Sequence, residues 1–338
     1  MGDRGFPLSH WRLKEHVDEI LRARLGKEYP AEGVGRNWTD RFVERHHLKL
    51  KTYNPKALEG VRGQAVNPTT HQAWFDLLGE TLRTGDNGKP IAEDCIWAAD
   101  EAGFQAATGT SQERVIGGAN KKVQHQTRGG TRENTTVIVT IGADGSSLPP
   151  AVIFKGQAYQ TAWKQENPAN ASIGHSVKGW TDGEIGALWI QHFDKQTRAK
   201  ANGRTRLLIV DGHNSHYTRE FLRYAREHNI LVLCYPAHTT HLYQGLDVVV
   251  FSVLKRYWSE ERDRWEREHG GTVNKQNFLA VYGAAHIRAL TPAVIKSAFE
   301  KTGVCPFAPE RINPKALAPS LETSTQATLP IEPPTPVK

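Results

Sequence analysis

Cysteine is scarce in this chain of 338 residues: Cys95, Cys234 and Cys305 stand far apart and are odd in number. That excludes a disulfide framework and a cysteine-rich zinc site, and it suits a reducing compartment. No apolar run approaches the length of a membrane span, and Met1-Gly2-Asp3-Arg4 lacks the hydrophobic region of a signal peptide. An intracellular, soluble protein with no membrane partner is therefore expected. Neither sign of charge dominates: 43 Lys and Arg against 36 Asp and Glu leave a net charge of +7. The resulting pI near 9.2 favours a polyanionic partner only weakly. What is present is enough apolar residue, 38% of the chain, for a full core and for more than one domain.

Residues 1–60 predict a small helical domain. Pro7-Leu8-Ser9 offers a cap, after which Trp11, Leu13, Val17, Ile20, Leu21 and Leu25 recur at helical spacing. A second helix is expected near Asn37, with Trp38, Phe42 and Val43 as its buried positions. Around it Arg36, Arg41, Arg45, Lys49 and Lys51 outnumber the acids, as a helix-turn-helix module on DNA requires. A solvated helical hairpin is the alternative. Residues 61–90 predict a linker helix capped at Asn67-Pro68-Thr69-Thr70 and ended by Thr84-Gly85-Asp86-Asn87-Gly88, where the domain boundary is expected.

Residues 91–308 change to strand patterns. Cys95 to Ala99, Thr135 to Ile141 and Pro150 to Phe154 read as strands, the last two a hairpin around Ala143-Asp144-Gly145. Helix then alternates with strand: a helix around Glu184 to Phe193, the strand Leu207-Leu208-Ile209-Val210, a helix from Thr218 to His228, and the strand Ile230 to Leu233. A last run carries Asp247, Phe251, Leu254 and Trp258 along one face. This order predicts an α/β, ribonuclease-H-like domain, a mixed sheet flanked by helices, behind an all-α helix-turn-helix domain. Residues 309–338, rich in Pro, Ser and Thr, read as a disordered tail.

Three aspartates stand at comparable places: Asp100 after the first strand, Asp211 after a later one, Asp247 at the start of a helix. Each alone reads as a turn or cap residue; together they form a constellation. Converging carboxylates repel one another unless cations neutralise them. Oxygen-only ligands suit Mg²⁺ or Mn²⁺, and two such ions roughly 3.5–4 Å apart serve displacement at phosphorus. Phosphodiester cleavage or transfer is the expected chemistry. His213, His216, His238 and His241 form a competing set, two HxxH pairs able in principle to hold zinc. Without fixed helical geometry they are ranked below the aspartates, as groups that orient carboxylates or contact phosphate. The basic, glycine-rich stretch from Thr110 to Arg132 reads either as a grip on a phosphate backbone or as a solvated hairpin loop. Glu101 is expected on the opposite face from Asp100.

Asp100-Glu101-Ala102-Gly103-Phe104, Asp211-Gly212-His213-Asn214-Ser215-His216 and Pro236 to Asp247 resemble the three catalytic blocks of pogo-type DDE transposases. This group includes the Tigger, Jerky and centromere-protein-B relatives. Ala143-Asp144-Gly145 with Pro149 to Gly156 resembles the hairpin between blocks, and Ala298 to Phe307 resembles the segment closing the domain. Residues Gly5 to about Phe75 are similar to the second, centromere-protein-B-type, helix-turn-helix unit. The resemblance implies a nuclear, double-stranded-DNA-binding endonuclease and strand transferase, with Asp100, Asp211 and Asp247 as ligands of two Mg²⁺ or Mn²⁺ ions. His213, His216, His238, His241 and Gln244 would support them, and a homodimer is a further expectation. Two departures are expected to matter. Gly245 stands where relatives carry proline, which would loosen the turn presenting Asp247. The chain also opens at the second DNA-binding unit, so a truncated or domesticated, catalytically silent DNA-binding derivative is the alternative.

Overall fold

The computed structural model describes residues 8–53, 65–105, 133–164, 166–177, 179, 183–212 and 218–314. The chain forms two compact units, Met1–Thr70 with Asn313–Lys338, and His71–Ile312. The second unit therefore begins well ahead of the expected residue 91. The reason is packing: within helix Pro68–Arg83 the side chains of Trp74, Phe75 and Leu78 are buried. Apolar side chains at that spacing join whichever core they cover, so this helix is no free linker.

In the first unit, α1 (His10–Leu25) begins at Ser9, whose hydroxyl accepts from the Arg12 N–H, and α2 (Trp38–Arg45) follows a turn region. The core is held by one carboxylate more than by apolar burial. Asp18, 7% exposed, accepts hydrogen bonds from Lys14 Nζ at 2.7 Å, the Tyr29 hydroxyl at 2.6 Å and the Val34 N–H at 2.8 Å. Gly33 must be glycine: its φ is +75° and a Cβ there would lie 2.4 Å from an Asp18 oxygen. Trp11, Ile20 and Leu25 of the helical pattern are exposed, and Trp38, Phe42 and Val43, expected to be buried, are only half-buried. Two short helices have too little surface between them to cover every apolar position.

The second unit is a six-stranded sheet of order β4-β3-β2-β1-β5-β6, with β1 (Ile96–Gln105), β2 (Asn134–Gly142), β3 (Ala151–Lys155), β4 (Ser172–Ser176), β5 (Arg206–Val210) and β6 (Ile230–Cys234). β1, β2 and β3 pair antiparallel, as expected; β5 runs parallel to β1, and β6 parallel to β5. β4, parallel to β3, was not expected. Ser172-Ile173-Gly174-His175-Ser176 carries no apolar run because it is an edge strand, half-exposed on one side.

Helix α3 is the segment Pro68–Arg83; α4 (Gly183–Ala201) and α5 (Arg219–Glu227) cover one face of the sheet. There Trp97, Ala99, Leu208 and Val210 pack with Trp189, Phe193 and Phe221. The other face meets α6 (Phe251–His269), α7 (Phe278–Ala289) and α8 (Pro292–Lys301), where the Phe104 ring lies 5.6 Å from Trp258 and 5.0 Å from Tyr282. Residues 309–312, expected in the tail, close this unit: Arg311 pairs with Glu300 at 2.9 Å and Ile312 is buried. Residues 315–338 and the basic stretch expected from Thr110 to Arg132 lie outside the described residues.

The Asp18 carboxyl is held well below the usual range, first by its bond from Lys14, then by those from Tyr29 and Val34. A depressed folded value stabilises the fold above the unfolded pKa of about 4, and that contribution is lost as pH falls through the folded value. Asp18→Ala should therefore lower protection of the α1 amides from hydrogen exchange at pH 7 by about 1.5–3 kcal/mol for the lost charge-assisted bonds. The difference between variant and wild type should shrink on acidification below pH ~4; a difference independent of pH would contradict the assignment.

Candidate active site

The register of the sheet assembles the site. β1 and β5 pair Ile96 with Leu207, Trp97 with Leu208 and Ala98 with Ile209. Continued in step, the same ladder sets Asp100 beside Asp211. β5 and β6 pair Val210 with Cys234, and the Tyr235 N–H donates to the Val210 carbonyl at 3.0 Å, which sets Tyr235 beside Asp211. Asp100, Asp211 and Tyr235 thus form one row across three strands. Side chains in one row share a face, with adjacent strands about 4.8 Å apart. Because Trp97 and Ala99 face α4 and α5, Asp100 faces the opposite side, and Glu101 turns away from it as expected. β1 runs on past the end of β5, so Asp100 lies at the carboxyl end of a parallel pair, where α/β sheets place their ligand crevices.

Asp247 arrives from another direction. It lies in a π-helical turn, Leu246–Val250, that runs directly into α6. The wide turn shifts the helical phase: Leu246 and Val250 are buried while Asp247 is exposed. It is therefore not on the buried face shared by Phe251, Leu254 and Trp258, where the sequence pattern put it. π turns inside longer helices commonly occur at functional sites. The turn stands on Gly245, whose φ of −59° any residue can adopt. A Cβ there would lie 2.7 Å from the Ala298 carbonyl oxygen and 3.0 Å from its methyl. Glycine here lets α8 press against the turn, a contact that a Cβ at this position would obstruct.

Electrostatics shows that the three carboxylates share one field. Asp100 is buried, and its pKa is raised well above the usual range, first by desolvation and then by the charges of Asp247 and Asp211. The Glu101 N–H, donating to Asp100 Oδ1 at 2.7 Å, opposes that shift. The Tyr235 hydroxyl is pushed up by burial and then by the same three aspartates. Among the described residues, however, no three His, Cys, Asp or Glu side chains stand close enough to hold one metal ion as they are.

The donor chemistry nonetheless fits a hard divalent cation. The carboxylates supply oxygen alone, and they repel one another in a site where burial magnifies the repulsion. Gln244, 1% exposed, adds a second unmet need: neither its amide oxygen nor its nitrogen has a hydrogen-bond partner among the described residues. Of the histidines, His238 is exposed with a φ of +62° and His241 is half-buried, and neither joins a metal-holding group. His213 and His216 lie outside the described residues.

In the first unit Arg36, Arg41 and Arg45 line one open concavity with Trp38 and Glu44. Lys49 and Lys51 are exposed beyond α2, the latter 5.9 Å from the Tyr53 ring. The structure thus brings together three of the five expected basic residues.

Residues 131–299 match the DDE superfamily endonucleases, and residues 1–52 match the Tc5 transposase DNA-binding domain. The chain belongs to the pogo and Tigger group of DDE superfamily transposases. The endonuclease match contains Asp211 and Asp247, while Asp100 lies ahead of it. Among curated relatives, the MFS-type transporter clz9 of Cochliobolus lunatus is 37% identical over 308 residues, 91% of this chain but 29% of that protein. The human Pogo transposable element with ZNF domain is 25% identical over 249 residues, 73% of this chain and 16% of that one. The chain thus spans less than a third of either relative. The transporter name applies to the whole clz9 protein; among the described residues of this transposase-family chain no single helix is long and apolar enough to cross a membrane. The Mos1 mariner paired end complex with Mn superposes with a TM-score of 0.51 at 12% identity, over 93% of this chain and 79% of that one. That likeness shows the fold, RNase-H-like.

Tyr235, in one row with Asp100 and Asp211, escaped the sequence reading. Tyr235 follows the apolar run of β6 as Asp211 follows that of β5, and equal position past two parallel strands was the signal that could have found it.

A raised folded pKa at Asp100 gives stability that is complete below the unfolded value of about 4 and is lost as pH rises through the folded value. Asp100→Asn should therefore raise the Tm of the metal-free protein at pH 8, by roughly 2–4 °C for each kcal/mol of repulsion relieved, and have less effect near pH 4. Thermal unfolding in chelator across that range checks this; a lower Tm at pH 8 would refute it.

Proposed function

We propose that this chain is a metal-dependent DNA endonuclease and transposase whose carboxylate centre is Asp100, Asp211 and Asp247. The observation that carries the reading is the lateral row of Asp100 and Asp211 on two adjacent parallel strands, with Asp247 in the same field. The three would hold Mg²⁺ or Mn²⁺, two ions in all. When bound, such ions stabilise the attacking and leaving oxygens of a displacement at phosphorus.

The chain's own residues supply the rest. Asp100 is fixed in the middle of a ten-residue strand and paired with Val139 of β2, so its backbone has little freedom to drift. Asp211, at the end of β5, is half-buried and Asp247 is exposed, so the substrate's phosphate approaches from their side. Gln244 offers an amide donor and acceptor for water or phosphate beside that helix turn. In the first unit the guanidinium groups of Arg36, Arg41 and Arg45, with Lys49 and Lys51, bind the backbone of double-stranded DNA, and Trp38 and Thr39 seat α2 for its groove. A nuclear location and pairing of two copies on DNA belong to the same reading.

A catalytically silent DNA-binding protein is the second reading. The observation in its favour is that the three carboxylates, though in one field, are not drawn around a common point.

The test is nicking of DNA carrying the cognate terminal repeats. Wild type should cleave only with Mg²⁺ or Mn²⁺, and Asp211→Asn should lose at least about a hundredfold in rate, the scale of removing an electrostatic stabiliser. Equal cleavage by both would sink the carboxylate assignment, and binding without cleavage would select the silent protein. For DNA binding, Arg41→Ala with Arg45→Ala should weaken affinity and reduce the slope of log K against log salt by about one for each phosphate no longer neutralised. An unchanged slope would return the basic face to ordinary solvated surface.

A further inference from the structure

The indole of Trp74 in α3 is 2% exposed and wedged between two tyrosines. Its ring lies 5.2 Å from that of Tyr235 at 43°, and 6.1 Å from that of Tyr243 at 30°. Tyr235 is the member of the carboxylate row next to Asp211. Tyr243 is fully buried and ends the short helical turn Thr240–Tyr243, one helical turn ahead of Asp247. Two further α3 side chains fix it: His71 Nδ1 and the Tyr243 hydroxyl share a hydrogen bond of 3.2 Å, and the Phe75 ring meets Tyr243 edge-on at 6.0 Å.

Asp100 and Asp211 are set beside each other by the β1–β5 ladder, whose backbone pairs end two residues before them. Asp247 has no such tie to the sheet, because it stands in a turn between two helical segments. Its distance from the row depends on what packs around it: α8 against Gly245, β1, and the short helical turn that ends at Tyr243. Trp74 is in ring contact with Tyr235, the residue after β6, and with Tyr243, four residues ahead of Asp247.

We propose that Trp74 is a positioning residue of the carboxylate site: braced against Tyr235 and Tyr243, it sets the turn that carries Asp247 at a fixed distance from the strand row of Asp100 and Asp211. The shape of the ring is what matters. Its Nε1–H is buried and has no hydrogen-bond partner among the described residues, a cost a phenylalanine would avoid, so an indole is retained here for its two faces and its length. The proposal rests on the carboxylate centre proposed above, and names what holds that centre's third member in place.

The test is a double-mutant cycle in the full chain, between Trp74→Leu and Asp247→Asn, read as Tm in the presence of chelator. Removing one charge from the crowded centre raises Tm in the wild-type background. If Trp74 holds the turn, the same replacement in Trp74→Leu gives a rise smaller by about 2 °C or more, because the carboxylates have already drifted apart. Trp163→Leu removes an equally buried indole beside β3, two strands from β1, and leaves the Asp247→Asn rise undiminished. Trp74→Phe, which keeps a ring of smaller reach, falls between and carries the test where Trp74→Leu fails to fold. An equal rise in all backgrounds overturns the proposal, as does no rise in the wild type. Mn²⁺ titration supplies the second readout: Trp74→Leu should weaken binding about tenfold, the scale of losing a group that orients a ligand, and Trp163→Leu should not. Absence of Mn²⁺ binding by the wild type would count against the metal centre, and the metal-free cycle would then decide the brace by itself.

Discussion

Hydrogen-bonded register between β1 and β5 is the constraint on which the site depends. Ile96 opposite Leu207 fixes every later pair, so the two strands deliver Asp100 and Asp211 to the same level and the same face. A slip of one residue would turn Asp100 into the α4 and α5 layer, among Trp97, Leu208 and Phe193. That layer is the penalty against slipping: each large apolar side chain removed from water contributes roughly 1.5–3 kcal/mol. The apolar face of the sheet thus holds the charged one in register, and two carboxylates that repel each other remain neighbours.

The rest of the second unit serves to bring in a third charge and to leave one side open. α6 packs its Phe251, Leu254 and Trp258 into the core, and the π turn before it rotates Asp247 out of that face. Gly245 allows α8 to lie against the turn, while Trp74 stands between Tyr235 and Tyr243, the latter four residues ahead of Asp247. Burial raises the Asp100 pKa, and the nearby charges raise it further. A centre in this state favours whatever brings positive charge to it, a proton or a metal ion. The first unit follows the same logic in reverse, since there Asp18 has its donors already in place and its carboxyl is held low.

Much of this was legible along the chain. The apolar runs of β1, β2, β3, β5 and β6 stood out because each is buried on one or both faces, and strands of that kind are written in consecutive apolar residues. Asp100 and Asp211 could be picked out by where they follow those runs, Asp247 by its place at the start of a helix, and Ser9, Asn67 and Thr218 by the caps they make. β4 could not, because an edge strand half in solvent needs no apolar pattern. The exposed Trp11, Ile20 and Leu25 misled, because periodicity reports which face of a helix is apolar and says nothing of whether a partner covers it.

Local chemistry therefore determined what each segment of this DDE transposase-family chain would be: strand, helix, cap, and carboxylate at a strand end. Tertiary structure alone decided which residues would meet. That Tyr235 joins the row of Asp100 and Asp211 depends on two ladder registers, and neither is fixed by any one strand's own sequence. That Trp74 touches both Tyr235 and Tyr243 depends on α3 packing across segments distant in the chain. Contacts of this kind arise from the shape of the whole core, and their energy is shared among many side chains, so no short stretch of sequence contains them.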